Sequence, residues 1–151
     1  MKVNDVEFND DGNIIDILSG KILVDTPEER VRQRFINILN SDYGYPKSEM
    51  LREVPIQQGS KILTNTDDGS EIRADIVVYN SEEATLNRDQ GNILFVVECK
   101  KPNATEGYAQ LVSYIFNTSA IGGVWTNGDG ISVYKKKIGF RVKKICQDLI
   151  M

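Results

Sequence analysis

A chain of 151 residues, 40% hydrophobic and 26% charged, has the size and balance of one globular domain with a proper core. It contains no histidine and only two cysteines, Cys99 and Cys146, which excludes Ser-His-Asp and Cys-His hydrolysis, Cys/His zinc clusters and a disulfide framework. Net charge is −4 but unevenly spread, with −9 on residues 1–99 and +5 on residues 100–151, so the last third offers a surface to an anionic partner. No apolar run reaches the roughly 20 residues of a membrane span, no apolar leader follows Met1, and no GxxxxGK[ST] phosphate loop occurs. The expectation is a cytoplasmic protein with no membrane association and no nucleotide motor of its own.

Taken in chain order, VEF, the turn NDDGN and IIDIL predict a small hairpin over 6–18. TPEERVRQRFINILN predicts the first helix: Thr26 as N-cap, Pro27 at its first position, Glu29 as the capping-box partner, and Val31, Phe35 and Ile38/Leu39 as the buried stripe. LREVPIQQG (51–59) predicts a strand that Pro55 places at an edge or a bulge. EIRADIVVY (71–79) is the next strand, 80–92 a polar loop, and NILFVVECK (92–100) a buried strand. EGYAQLVSYIFNTS (106–119) predicts a helix, GGVWTNG and ISVYKKK two further strands, and the tail a strand running into a short helix. The order α, β-β-β, α, β-β defines an α/β fold with a mixed sheet.

Chemistry concentrates where the buried strand ends. Glu98 and Lys100 share one face of it and Cys99 the other, so a carboxylate and an ammonium follow five apolar residues. Leaving both there is costly unless they pair or bind something. A salt bridge at a strand end satisfies that demand as well as a site does. Asp75, set among apolar residues of a strand expected to neighbour it, adds a second carboxylate. Two carboxylates and a lysine make a hard-oxygen site for Mg²⁺, and the ammonium beside a metal-bound water suits phosphodiester hydrolysis. Cys99 reads as a small buried hydrophobe.

Asp75 followed by Glu98-x-Lys100 resembles the active site of the PD-(D/E)xK nuclease superfamily, with Ala74 standing where that motif's nominal proline would be. The surrounding TPEERVRQRF, YGYP, RADIVVY, ECKKP, Gln110 with Tyr114, and TNG look like the N-terminal nuclease domain of the restriction subunit of type I restriction-modification systems. The resemblance covers about residues 25–136 and implies a restriction-endonuclease-like mixed sheet flanked by helices. It implies Asp75, Glu98, Lys100 and Gln110 as catalytic residues and Asp75 and Glu98 as ligands of Mg²⁺, for which Mn²⁺ substitutes. Relatives add a carboxylate from the first helix. Glu29 is already engaged as a cap, so this falls to Glu28, on the face of the buried stripe, although any acid in a first turn also serves the helix dipole.

Tyr114, one turn beyond Gln110, is expected on DNA, although core packing accounts for a tyrosine there equally. Lys101, Lys135, Lys136 and Lys137 are candidate phosphate contacts, joined by Arg141, Lys143 and Lys144; lysines protecting an edge strand look the same. The chain then divides into an N-terminal hairpin extension (1–24), a nuclease core (25–136) and a basic tail (137–151) of one domain. The implied partners are DNA and the translocase, methylase and specificity modules of a restriction-modification complex. The competing reading is a non-catalytic DNA-binding or assembly module that keeps the fold.

Overall fold

The computed structural model describes residues 1–137 apart from Thr66, and the backbone of residues 141–147. Four two-residue strands open the chain: β1 (Lys2–Val3), β2 (Val6–Glu7), β3 (Ile14–Ile15) and β4 (Ile22–Leu23), paired β1–β2 and β3–β4. The hairpin expected over 6–18 is reduced to a single bridge between Phe8 and Ile14. Asp16 is the reason. Its carboxylate accepts from the Leu18 and Ser19 amides and turns the chain where a longer strand would continue.

Helix α1 (Pro27–Ser41) starts as its sequence dictates, with Thr26 Oγ1 accepting from the Glu29 amide at 3.0 Å and Pro27 in the first turn. The strand β5 (Met50–Pro55) stops before Ile56, and β6 (Gln57–Gln58) and β7 (Lys61–Ile62) form a separate hairpin, so the single strand expected over 51–59 is divided. Next comes β8 (Arg73–Tyr79). The stretch 80–92, expected as loop, contains α2 (Glu82–Asn87), capped by Ser81 accepting from the Ala84 amide. Six residues are too few for an apolar period to show, but Ser-Glu-Glu is a helix start. β9 (Ile93–Cys99), α3 (Tyr108–Asn117), β10 (Gly122–Thr126), β11 (Ile131–Lys137) and β12 (Arg141–Gln147) complete the order. The helix expected at the C-terminal end falls on residues outside those described.

The fold is mixed α/β. One six-stranded sheet runs β12-β11-β10-β9-β8-β5, with β9 and β10 parallel across α3 and every other pair antiparallel. Period-two alternation sends Ile76, Val78, Val97 and Cys99 against Val31, Phe35, Ile36 and Leu39 of α1. Val77, Tyr79 and Val96 pack on Leu111, Tyr114 and Ile115 of α3 instead. Glycine permits that second contact, since a Cβ at Gly123 would stand 2.8 Å from the Leu111 and Ile115 methyl carbons. No helix among the described residues is long and apolar enough to cross a membrane.

This topology positions the chemistry. The pairs Arg52↔Ile76 and Val54↔Ala74 flank Glu53 and Asp75, and the Ile76↔Val97 register carried one step further sets Asp75 opposite Glu98. Residues from three adjacent strands therefore stand in one row at one end of the sheet.

Candidate active site

Glu98 is 2% exposed, and its Oε1 has no hydrogen-bond partner among the described residues. Its Oε2 faces Lys100 Nζ at 3.7 Å. Burial above all, then the adjoining Asp75 carboxyl, push the Glu98 carboxyl far above the ordinary carboxylate range, and Lys100 only partly opposes them. Asp75 is also buried. Its Oδ2 accepts from the Cys99 amide at 2.8 Å, and its Oδ1 from Arg32 Nη2 at 2.5 Å.

The loop carrying Lys100 is fastened from below. The Lys100 amide donates to the Thr126 carbonyl, Trp125 Nε1 to the Glu106 carbonyl at 2.8 Å, and Asn127 Nδ2 to the Ala104 carbonyl at 3.0 Å. Gly107, at φ 102°, then starts α3 hard against the site: a Cβ there would stand 2.5 Å from Lys100 Cε and 3.4 Å from Glu98 Cγ. Only glycine fits that approach and that backbone.

Glu28 lies at the lip, its side chain 41% exposed. Burial and the neighbouring Asp75 raise its carboxyl above the usual range, while Lys100 and Arg32 pull it back, so it belongs to the same electrostatic group. Glu29 has a different place from the one its position after Thr26 suggests. It does not close a capping box. Its Oε1 is taken by Arg32 Nη1 at 2.5 Å and by Arg52 Nη2, and its Oε2 by Gln33 Nε2 at 3.1 Å. The buried Arg32 and the half-buried Arg52 outcompete a backbone amide for its oxygens, because charge-assisted bonds are the stronger ones.

Arg32 was not among the residues the sequence singled out. A signal existed: Arg32, Phe35, Ile36 and Leu39 have the spacing of one helix face, so a guanidinium occupies the apolar stripe. Its side chain is 6% exposed. Burial opposes its charge, but Asp75 and Glu29 prevail and hold it above its ordinary range. Glu53, non-glycine at φ 50°, breaks the alternation of β5 opposite Asp75. Arg52 Nη1 and Glu53 Oε2 consequently meet at 3.4 Å, and Glu53 Oε1 stands 3.6 Å from Arg32. An adjoining groove of about 520 Å³ is lined by Glu28, Glu29, Arg32, Arg52, Glu53 and the exposed Lys101.

Other expected residues separate. Gln110 is half-buried in the first turn of α3, and no hydrogen bond of its side chain is found among the described residues. Tyr114 is fully buried, with its hydroxyl donating to the Arg73 carbonyl at 3.0 Å, so it is a core residue beneath the site rather than a surface for DNA. Packing explains this, since Leu111, Tyr114 and Ile115 are the face α3 lays on the sheet. Lys136 Nζ is tied to the Thr118 carbonyl at 2.6 Å, and only Lys135 and Lys137 are exposed. All three stand at the Gly122 end of β10, whereas the site is at its Thr126 end. Arg141, Lys143 and Lys144 have side chains outside those described.

As a test of whether Mg²⁺ fits, the donors are hard carboxylate oxygens, and the unpartnered Glu98 Oε1 sits beside Asp75. No group of three or more His, Cys, Asp or Glu able to hold a metal occurs among the described residues. Mg²⁺ commonly takes one or two carboxylates and keeps water elsewhere, so a two-carboxylate donor set suits it.

A mixed sheet flanked by helices thus brings two carboxylates and a lysine together on neighbouring strands. The chain belongs to the family described as Type I restriction enzyme R protein N terminus (HSDR_N), whose model matches residues 27–146. Searches of curated proteins and of solved structures give no match. Family membership assigns a nuclease-like role in a restriction system.

Proposed function

We propose that this domain is a metal-dependent deoxyribonuclease of the PD-(D/E)xK type, cutting DNA as part of a restriction-modification complex. The observation that carries the reading is Glu98: a buried carboxylate with one oxygen unpartnered, set against Asp75 and 3.7 Å from Lys100 Nζ. Asp75 and Glu98 would hold Mg²⁺ or Mn²⁺, with Glu28 at the lip. When bound, the ion supplies an activated water and charge neutralisation at the phosphate. Lys100, confined by Gly107, would orient a water at the site and hold or move its proton. Gln110, one turn before Tyr114 on α3, would contact the scissile strand in this reading. Lys101 lines the groove by which a phosphate backbone would approach. DNA and the translocase, methylase and specificity modules are the partners of this reading.

The test is Mg²⁺- and Mn²⁺-dependent cleavage of plasmid and single-stranded DNA by wild type and Lys100→Ala. The variant is expected to lose about 10²–10⁴-fold in rate, with Mn²⁺ binding retained in calorimetry. Full activity in Lys100→Ala would overturn the assignment. One observation favours a second reading, a non-catalytic DNA-binding module: the Arg32 guanidinium already neutralises Asp75. DNA binding by wild type without cleavage under either metal would establish it.

A further inference from the structure

We propose that Arg32 is the positioning residue for Asp75, acting as the inner end of a buried chain of hydrogen bonds that begins at Asp16. The proposal rests on the nuclease reading and adds to it a part played by the segment preceding the family match, which starts at residue 27.

Each link is short and closed to water. Asp16 Oδ1 accepts from Gln33 Nε2 at 2.9 Å, and Gln33 Oε1 accepts from the Ile17 amide at 2.9 Å, so both ends of that amide are used by the N-terminal segment. Gln33 Nε2 also donates to Glu29 Oε2 at 3.1 Å. Glu29 Oε1 then accepts from Arg32 Nη1, and Arg32 Nη2 donates to Asp75 Oδ1, each at 2.5 Å. Asp16, Gln33, Glu29, Arg32 and Asp75 are all buried. A guanidinium is suited to the inner position, because two nitrogens of one rigid plane reach two carboxylates at once. With Oδ2 fixed on the Cys99 amide, Asp75 is held at both oxygens, and the carboxylate beside Glu98 has no rotational freedom left.

Two other roles predict different behaviour. A guanidinium that blocks the site would weaken cation binding by its charge, so removing it would tighten Mn²⁺ and raise activity. A guanidinium that contacts the DNA phosphate would act on KM. A positioning residue acts on kcat. The experiment compares the whole chain with Arg32→Met, Arg32→Lys and Asp16→Asn. Mn²⁺ alone serves as the calorimetric probe, and cleavage kinetics and thermal unfolding are recorded on the same samples. Arg32→Met is expected to lose about 10²-fold in kcat with KM for DNA changed less than about 2-fold, because a small misplacement is costly. Its Mn²⁺ affinity should fall several-fold. Arg32→Lys should not restore kcat, and it carries the same expectation if Arg32→Met does not fold. Asp16→Asn should lower kcat in the same direction by about 3- to 10-fold, as expected for a remote link.

Unchanged kcat in folded Arg32 variants, tighter Mn²⁺, or an effect confined to KM would each overturn the proposal. Wild type that neither binds Mn²⁺ nor cleaves would overturn the nuclease reading and with it any part for Arg32 in catalysis. The clamp itself is read without metal, by a double-mutant cycle of Arg32→Lys with Asp75→Asn. Coupling of about 10-fold or more in the unfolding constant is expected, and additive effects would show that no clamp exists.

Discussion

A carboxylate oxygen sealed from water with no donor is costly in any fold, and Glu98 Oε1 is in that position. In metal-free protein the cost is limited by protonation. Burial, with Asp75 beside it, raises the folded carboxyl well above its ordinary value of 4.5. The linkage sign follows: the folded state binds the extra proton, so this contribution is fully present below about pH 4.5 and is lost progressively as pH rises towards about 10. Glu98→Gln cannot ionise. In chelator it should match wild type near pH 4 and exceed it at pH 8 by on the order of 1–3 kcal/mol. Thermal melts from pH 4 to 8 measure the difference, and parallel curves for the two proteins would show that folding does not raise the Glu98 carboxyl. Asp75, Glu98 and Lys100 were legible in the sequence because strand periodicity places charges against an apolar run. Arg32 and Glu53 were not: one lies in a helix read for its apolar stripe, and the other acts through a local φ reversal that no residue type announces.

Helix α1 shows how one turn supplies two carboxylates to different tasks. Glu28 at the lip is half in water; Glu29 is locked between Arg32, Gln33 and Arg52. Glu29→Gln leaves two guanidiniums short of counter-charge and should cost about 3 kcal/mol. Glu28→Gln should stay within about 0.5 kcal/mol in stability yet weaken Mn²⁺ binding. Urea melts and calorimetry on the pair check both statements, and equal destabilisation would remove the distinction. The sequence predicted the cap and the stripe because both are local. It assigned Glu29 to the cap because the Thr-Pro-Glu-Glu spacing matches a capping box, while one of the partners that take Glu29 instead, Arg52, is 23 residues away on another element. Elements long enough to show a period were read, whereas α2, with six residues, and the divided strand over 51–59 were not.

Across the whole molecule, the +5 carried by residues 100–151 is not one surface. Lys101 lines the groove beside Glu28 and Arg32. Lys135 and Lys137 stand at the opposite end of the strands, beyond the length of β10, which at about 3.3 Å per residue is itself about 13 Å. Lys101→Gln should therefore reduce the salt dependence of DNA affinity by about one phosphate contact. Neutralising Lys135 and Lys137 together should leave that slope in place. Binding isotherms across a salt series decide between them, and the reverse result would move the DNA path to the opposite sheet end. Charge was countable from the sequence, but which end of a strand it occupies depends on pairing register.

On the proposed nuclease reading, the span of the Arg32 clamp sets the stage of synthesis at which the site could first be complete. Arg32 and Asp75 are 43 residues apart, and Asp75 and Cys99 another 24. A ribosome adding about 5–20 residues per second exposes α1 seconds before β9 exists. The clamp cannot close fully on a nascent chain that lacks β9, nor on a proteolytic stump ending before it. If the domain cuts as proposed, that ability would arrive only with the completed sheet, and partial chains made in synthesis or degradation would lack it.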